Sequence, residues 1–454
     1  MYVEDLLPLS MFLALVVLLF SGLPVAAVIG GVGLLFGFLG WLFGMFSLIE
    51  FLNVPVRIWG TAAENPVLVA VPMFIFMGTM LEQSGVAEDL LRTLGIVLKR
   101  VRGGLAMAVT LMGTILAAAT GIIGASVVMM TLLALPAMQA AGYSNRLATG
   151  TIAAAGTLGI LIPPSIMLVI MGDLVQLSVG DLFFAAFLPG FLLSGLYLFY
   201  IFAVCRLNPR IAPLPPSDIG PGTARAYLLM LSRSLLPPSF LVFLVLGSMF
   251  LGWATPTEAA AVGAAGATLL CVLNGRFGLE LLRNVCRAST LTTAMVFFVI
   301  IGATTFSYVF RSLGGDQVVS ELIRHLGLGP WGVLLLIMGI VFLFGFFFDW
   351  LEITLIVLPV AYPIVKALDF GAHVARPEIM LWFTILVAVN FQNSFLTPPF
   401  GFALFYLKGT AGTRVRIEEI YRGIVPFVIL QLIGLLLVIA YPEIALWLPR
   451  TMQQ

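Results

Sequence analysis

The stretch NFQNSFLTPPF, residues 390–400, lies in one of the most apolar parts of the chain, between LWFTILVA and GFALFYL. It carries two asparagines, a glutamine, a serine, a threonine and two adjacent prolines. Hydrocarbon heavily penalises unsatisfied backbone groups, so a membrane helix is interrupted only where other groups satisfy its ends. The stretch therefore predicts a broken helix over 378–406. Thr397 is expected to cap the restarting half, with Pro398 at its first helical position.

Composition places the chain among polytopic α-helical membrane proteins. Of its 454 residues, 61% are hydrophobic and only 9% are charged, a composition that is too apolar for a soluble domain and typical of a membrane protein. The net charge of +1 gives no indication of nucleic-acid binding, and the three cysteines form no metal-ligand pattern. The acidic start MYVEDLLPLS does not resemble a basic signal peptide. Residues 6–20 are therefore predicted to be a retained first span.

Two apolar segments, 104–141 and 330–368, are too long for one crossing and have polar or glycine-rich middles, AATGIIGAS and GFFFDWLEIT. Each limb reaches only about 20–25 Å, short of a full bilayer, so both segments are predicted to be re-entrant hairpins. Amphipathic segments at 86–101, 278–288 and 316–328 are expected to lie flat at the interface. The predicted crossings are 6–21, 24–44, 66–81, 145–171, 182–205, 236–253, 257–274, 289–310, 378–406 and 425–448.

The basic residues set the orientation of this arrangement. With ten crossings, two hairpins and the N-terminus outside, sixteen Lys and Arg fall inside and six fall outside. If either hairpin crossed the membrane, the basic clusters beyond it would change sides. Both termini are therefore predicted to be periplasmic.

The two halves of the chain repeat each other. LPVAAVIGG matches TPTEAAAVG, TLLALP matches TLIVLP, and Pro163-Pro164 recurs as Pro398-Pro399. The predicted repeats are 1–205, with hairpin 104–141 and broken helix 145–171, and 236–454, with hairpin 330–368 and broken helix 378–406. A cytoplasmic linker, 206–235, is expected between them. Five crossings per half make the repeats inverted, which is typical of secondary transporters with a site at the midplane.

Four helix N-termini are expected to meet at mid-depth, two from the hairpins and two from the broken helices. N-termini suit an anion, while carbonyl and hydroxyl oxygens suit a hard cation such as Na⁺. Simpler interpretations stay open. The paired prolines could be structural kinks, Asn390, Asn393 and Ser394 could join helices, and Asp349 and Glu352 could be solvated if their hairpin is shallow. Glu258 is predicted to close a capping box with Thr255.

The motifs GTILAAATGIIGASVVMMTLLALPAMQAAGYS, GTLGILIPPSIMLVIMG, GWATPTEAAAVGA and FFFDWLEITLIVLPVAYPI resemble the large membrane subunit of TRAP transporters, the DctM type. The resemblance runs nearly end to end. It implies an all-α importer of organic acid anions, usually carboxylates, in a bacterial inner membrane, with Na⁺ as the coupling ion and no other cofactor. It also implies a static scaffold, an elevator-type transport domain, a small four-helix membrane subunit and a periplasmic substrate-binding protein. The FxDWLEI motif is similar to the branch that handles 2-oxo acids, lactate or aromatic acids.

The resemblance also carries site residues onto this chain. One implied cation site is Thr120, Gly121, Gly124, Ser126, Gly156, Thr157 and Pro163, and its counterpart is Asp349, Thr354, Asn390, Asn393 and Thr397. The implied substrate ligands are Ser126, Ser165, Asn393, Ser394 and Pro398.

The main alternative is a symporter or Na⁺/H⁺ antiporter of the same superfamily that needs no binding protein. Coupling by H⁺ through Asp349 and Glu352 also stays open. An intramembrane hydrolase is not expected, because the chain has no HExxH or GxGD motif and both histidines fall in outer loops. A channel would need a continuous polar pore, whereas the polar residues cluster at two depths.

Overall fold

The structure is a computed structural model that describes residues 3–120, 123–214, 220, 221, 223–398 and 401–452, without the side chains of 3–5 and 117–120. These residues form twenty α-helices and no β-strand. The first half contains α1 (Val3–Leu19), α2 (Val25–Leu42), α3 (Asn53–Ile58), α4 (Ala70–Gln83), α5 (Val86–Val97), α6 (Gly104–Thr120), α7 (Ile123–Ala140), α8 (Asn145–Thr157), α9 (Ile166–Leu174) and α10 (Val179–Leu207). The second half contains α11 (Ala224–Phe250), α12 (Pro256–Leu273), α13 (Leu279–Ser312), α14 (Gly315–His325), α15 (Pro330–Phe344), α16 (Trp350–Lys366), α17 (Ile379–Leu396), α18 (Phe402–Ala411), α19 (Ile417–Ala440) and α20 (Glu443–Met452).

The all-α membrane fold is confirmed. Within the described ranges, eight helices are long and apolar enough to span a bilayer: α2, α7, α10, α11, α12, α13, α17 with the short turn before it, and α19. The other predicted crossings are shorter pieces. The run at 66–81 belongs to a helix pair, Leu48–Ala63 and Val67–Gln83, that bends by 58°. The crossing at 145–171 is divided between α8 and α9, and the predicted first crossing contains the short apolar helix Leu6–Leu19 of α1.

The two ends of each predicted hairpin meet. In the first, which consists of α6 and α7, the backbone N–H of Leu105 donates to the hydroxyl of Tyr143 at 3.2 Å. In the second, α15 and α16, the rings of Trp331 and Phe370 pack edge to face with centroids 5.1 Å apart. Each segment therefore begins and ends on the same side of the molecule, as a re-entrant hairpin requires.

Both proline pairs interrupt their helices, but not with the capping that the sequence suggested. Thr397 ends α17 in an extended conformation, and α18 begins only at Phe402, after Gly401. The prediction that Thr397 caps the restarting half, with Pro398 at its first position, is therefore wrong. Because a residue that precedes proline is disfavoured in the α region, Thr397 and Pro398 are both kept out of the helix. The first break lies between the short turn Leu158–Ile160 and α9, and contains a cis Pro163-Pro164 bond.

Contacts between the two halves come in reciprocal pairs. The helix pairs are α2 with α13 and α4 with α12, α7 with α18 and α16 with α9, and α8 with α19 and α17 with α10. Exchanging each helix for its predicted repeat partner converts the first contact of each pair into the second. The duplication itself stays a prediction, and this packing is what a two-fold relation between the halves would produce.

Ion pairs join residues that the charge pattern places on one side. Arg276 and Glu88 are both predicted inside, and Arg450, Glu378 and Glu443 are all predicted outside. The segment 278–288 does not lie apart as an interfacial helix, because it continues into α13 without a break. Likewise, α11 begins at Ala224, so the last part of the predicted linker is helical. The capping box of Thr255 and Glu258 is confirmed.

Candidate functional site

A central cavity of about 220 Å³ lies where the hairpins and broken helices meet. The first residues of four helices line it: Ile123 of α7, Ile166 of α9, Trp350 of α16 and Phe402 of α18. Its opposite wall comes from α2, α4 and α13, through Val25, Ile75, Thr292, Met295 and Val296. The N-terminal ends of four helices therefore line one cavity, which is an environment that favours an anion.

The N-terminus of α16 is already occupied by its own carboxylates. Oδ1 of Asp349 accepts from the N–H of Trp350 at 2.8 Å, and Oε2 of Glu352 accepts from the N–H of Asp349 at 2.6 Å. Asp349 is half-buried, Glu352 is buried, and both line the cavity. Both carboxylates therefore face the interior of the protein. They are not solvated at the surface, which was the alternative if the hairpin were shallow. This acidic capping box makes α16 a poor place for a second anion.

The N-termini of α9 and α18 carry no such cap. Ser165 holds the capping position of α9, but its hydroxyl donates back to the carbonyl of Ile160 and leaves the first N–H groups of α9 without a side-chain acceptor. Gly401 precedes α18 and has no side chain to offer. The capping residues of α7 lie outside the described part of the chain. The first N–H groups of α9 and α18, which no described side chain caps, are thus candidate anion-binding groups at the cavity.

Behind the hairpin tips, several buried polar atoms lack a hydrogen-bond partner in the described part of the chain. They are both side-chain heteroatoms of Gln392 and of Asn393, the hydroxyl of Ser394 and the hydroxyl of Thr354. All four residues are fully buried. Orphaned groups at this depth are costly unless a ligand satisfies them. Neutral amide and hydroxyl oxygens are suitable ligands for a hard monovalent cation.

Other predicted cation ligands are engaged within the protein. Nδ2 of Asn390 donates to the carbonyl of Met338 in α15 at 2.8 Å, which is the helix-joining role that the sequence left open. The hydroxyl of Thr157 donates to the carbonyl of Ala154 at 3.0 Å, and that of Thr397 donates to the carbonyl of Asn393 at 2.6 Å. These two hydroxyls satisfy carbonyls at the ends of α8 and α17.

Among the indicated residues that the structure describes, two line the central cavity, namely Gly124 and Asp349. Ser126, Gly156, Ser165, Ser394 and Thr354 are buried in the packing around it. Pro163 lines a separate, mostly apolar pocket beside α10 and α11, and Pro398 lies in the turn after α17. Gly121 and the side chain of Thr120 fall outside the described residues.

The sequence did not single out the aromatic walls of the cavity. Phe347, Phe348, Trp350, Phe402 and Tyr406 all line it. The ring of Tyr406 lies over Gly124, where an added Cβ would be 2.9 Å from the ring. The run FGFFFDW could have indicated these walls, because aromatic residues beside a helix break are large enough to form the wall of a pocket.

A larger cavity of about 890 Å³ lies elsewhere, between α5, the base of the first hairpin and α11. Arg92, Lys99, Glu88 and Asp89 line it, and it lies at the end of the molecule predicted to be cytoplasmic. Since its charges are balanced and it is not lined by the helix breaks, it is not the candidate site.

Comparison with known proteins places this geometry in a family. The family "Tripartite ATP-independent periplasmic transporter, DctM component" matches residues 12–444. The chain is 30% identical to the C4-dicarboxylate TRAP transporter large permease protein DctM of Pseudomonas aeruginosa, over 89% of this chain and 91% of that protein. It is also 30% identical to the ectoine/5-hydroxyectoine TRAP transporter large permease protein UehC of Ruegeria pomeroyi, with 97% and 98% covered.

A third relative is the sialic acid TRAP transporter large permease protein SiaM of Vibrio cholerae, which is 28% identical over 92% of this chain and 98% of its own. Among solved structures, that of the Alcanivorax borkumensis YdaH transporter superposes with a TM-score of 0.60 at 16% identity, over 88% of this chain and 89% of that one. This structural likeness concerns the fold alone.

Proposed function

The chain belongs to the DctM component family of tripartite ATP-independent periplasmic transporters, and on that premise we propose that it imports organic acid anions together with Na⁺. It is the large permease component of a multi-pass membrane transporter, and its relatives are transporters and not enzymes. The proposal concerns the substrate class, the coupling ion and the way in which they move.

The observation that carries the proposal is the central cavity with its uncapped N-termini of α9 and α18. No Lys or Arg is among the described residues that line it. An anion there would be held by backbone N–H groups and helix dipoles, which stabilise a carboxylate without selecting its remaining structure. Such a weakly discriminating site fits a system whose selectivity resides in a soluble binding protein.

The charges around that cavity support coupling to a cation, and the cation that we propose is Na⁺. Asp349 and Glu352 line the cavity and, when ionised, would repel a substrate carboxylate there. Either a cation must be present or the two carboxylates must be protonated before the anion binds. The orphaned oxygens of Asn393, Ser394 and Thr354 offer neutral ligands close behind the tips. A bound Na⁺ would offset the two carboxylates and would link anion binding to cation binding.

The movement that we propose is of the elevator type. The transport domain consists of the two hairpins (α6–α7 and α15–α16) and the two broken helices (α8–α9 and α17–α18), and α2, α4 and α13 belong to the static scaffold. The cavity lies between these two bodies, so displacement of one against the other would carry its contents across the membrane. Both hairpins and both broken helices would move as one unit.

The proposed partners are a small four-helix membrane subunit and a periplasmic substrate-binding protein, and the proposed location is the bacterial inner membrane with both termini periplasmic. Reconstitution tests this assembly. Proteoliposomes with the chain and its small subunit are given ¹⁴C-labelled succinate, pyruvate, lactate and phenylacetate, with and without the binding protein.

We expect uptake of at least one of these carboxylates only after the binding protein is added. Robust uptake without it would instead support a binding-protein-independent symporter of the same superfamily. Liposomes that carry the small subunit alone provide the control for leakage.

A further inference from the structure

A second pocket of about 480 Å³ opens between α3, α13 and α16, at the end of the molecule predicted to face the periplasm. Two arginines, Arg57 and Arg311, line it. We propose that this pocket is an outer loading site that receives the carboxylate group of the substrate before it reaches the central cavity. The inference rests on the proposed function, because it assigns the path by which the transported anion enters.

One hydrogen bond joins the two helices that carry these arginines. Nδ2 of Asn53 donates to the hydroxyl of Tyr308 at 2.9 Å and thereby ties the start of α3 to α13. Arg57 follows Asn53 by four residues, and Arg311 follows Tyr308 by three, so each lies one helical turn further along its own helix. Both arginines line the same pocket, where a pair of forked donors suits a carboxylate.

Both charged residues that line this pocket in the described part of the chain are arginines. Arg57 forms no ion pair among the described residues. Asp316 lies 3.4 Å from Nε of Arg311, so it balances part of that one charge. Asp173 accepts a hydrogen bond from Asn65 at 2.7 Å, and Glu64 accepts one from Trp59 at 2.8 Å. Asp173 and Glu64 do not line the pocket, so among its described charged lining residues Arg57 is the one that no carboxylate pairs with.

Arg311 also connects the scaffold to the moving part. One of its Nη atoms donates to the carbonyl of Pro359 in α16 at 3.1 Å. That carbonyl has no helical partner because residue 363 is proline and lacks an N–H. Movement of α16 would break this contact and separate the two walls of the pocket, so the pocket has this form only in the position described here.

The loading site and the central cavity lie on the same seam between α13 and α16. On α13, Val296 lines the central cavity and Thr304 lines the outer pocket, and eight residues of helix correspond to about 12 Å. On α16, Leu351 lines the central cavity, and Leu355, one turn further along the helix, lines the outer pocket. Thr304, Ser307 and Tyr362 also line the outer pocket, and their hydroxyls can donate hydrogen bonds to a carboxylate as it moves inward.

Thiol labelling measures the charge of this pocket without any transport. In a Cys286→Ser background, Ser307→Cys provides a reporter, and Thr304→Cys provides a second one should the first fold poorly. The complex with the small subunit is labelled in detergent with an anionic or a cationic methanethiosulfonate reagent, and the ratio of the two rates is measured. We expect Arg57→Gln to lower the anionic-to-cationic ratio roughly threefold or more, and Arg57→Lys to preserve it.

Arg324→Gln is the matched control, because Arg324 is exposed on α14 at the same face but does not line the pocket. Succinate or pyruvate at millimolar concentration should slow labelling of the Arg57 parent, whereas chloride at equal ionic strength should not. An unchanged ratio in Arg57→Gln, or equal protection by chloride, would overturn the loading site. Since no gradient or binding protein is used, failure of the uptake assay would leave this measurement valid, and the reverse also holds.

Discussion

Gly345, at the turn of the second hairpin, lies directly against Ser394 near the end of α17. Any Cβ at position 345 would overlap the Cβ and hydroxyl of Ser394. In the first half, Gly156 of α8 lies against Val127 of α7, where a Cβ would be 2.5 Å from Cγ2 of Val127. In both halves, therefore, a glycine lets a hairpin touch its broken helix, although the glycine belongs to the hairpin in one case and to the broken helix in the other.

Replacing Gly345 by alanine should separate the hairpin turn from α17. The φ of Gly345 is −63°, so the backbone tolerates alanine and the effect comes from space alone. Overpacking of this kind costs about 1–3 kcal/mol. We expect a lower melting temperature in detergent and reduced uptake, with partial recovery of the melting temperature, but not of uptake, in Gly345→Ala/Ser394→Gly.

Gly339→Ala in α15 is the control for that variant, because no atom lies within 4 Å of the position that its Cβ would take. It should melt at or slightly above the parent temperature. If the two alanine variants behave alike, the contact with Ser394 does not determine the position of the hairpin turn.

Asn393 and Asn390 should respond differently to truncation. Asn390→Ala removes the hydrogen bond to Met338, so the melting temperature should fall in both Na⁺ and K⁺, by the equivalent of about 0.6–1.7 kcal/mol. Asn393→Ala removes no internal partner. It should melt like the parent in KCl but lose most of the stabilisation that NaCl provides, since a bound ion stabilises only the folded state. Equal Na⁺ stabilisation in Asn393→Ala and the parent would remove Asn393 from the cation site.

Asp349 has a structural role and a proposed electrostatic role, and two variants separate them. Asparagine caps a helix about as well as aspartate, so Asp349→Asn should fold normally, whereas Asp349→Ala should lose about 0.5–2 kcal/mol. Both variants remove the charge and should weaken the Na⁺ dependence of uptake. The idea fails if Asp349→Asn transports with the Na⁺ dependence of the parent.

Labelling from one side of the membrane tests the hairpins. In a Cys286→Ser background, Cys205 and Cys271 are buried, so introduced thiols report alone. Gly329→Cys and Ala372→Cys flank the second hairpin and should both react with an impermeant maleimide added outside. Arg100→Cys and Arg146→Cys flank the first hairpin and should react only in inverted vesicles. If the two flanks of a segment react from opposite sides of the membrane, that segment crosses the membrane and is not a re-entrant hairpin.

Much of the fold was predictable because membrane physics constrains it strongly. The paired prolines located both helix breaks, and the polar interruptions predicted two hairpins whose ends meet in the structure, since hydrocarbon tolerates broken backbone only where protein or a cavity satisfies it. Helix ends were less predictable. Thr397 and Pro398 follow the pattern of a cap and a first helical proline, yet the second proline prevents Pro398 from being helical.

The site was predictable in kind but not in detail. The pattern indicated N-termini facing a central space, because a helix must restart after each break. It did not reveal that Asp349 and Glu352 occupy the N-terminus of α16 whereas Ser165 turns away from that of α9. Which rotamer a hydroxyl or carboxylate adopts depends on neighbours distant in sequence. The helical arm at Leu48–Ala63, which supplies Arg57, was missed for the same reason, since it is half polar and bends into α4.

The central claim is that an organic anion enters the cavity only when Na⁺ offsets Asp349 and Glu352. It is tested most directly by uptake into proteoliposomes that contain the chain, its small subunit and the ligand-loaded binding protein, at equal pH on both sides. With an inward Na⁺ gradient the account predicts accumulation of the labelled carboxylate, and with K⁺ in place of Na⁺ it predicts none. Accumulation that ignores Na⁺ and follows an imposed pH gradient would contradict it.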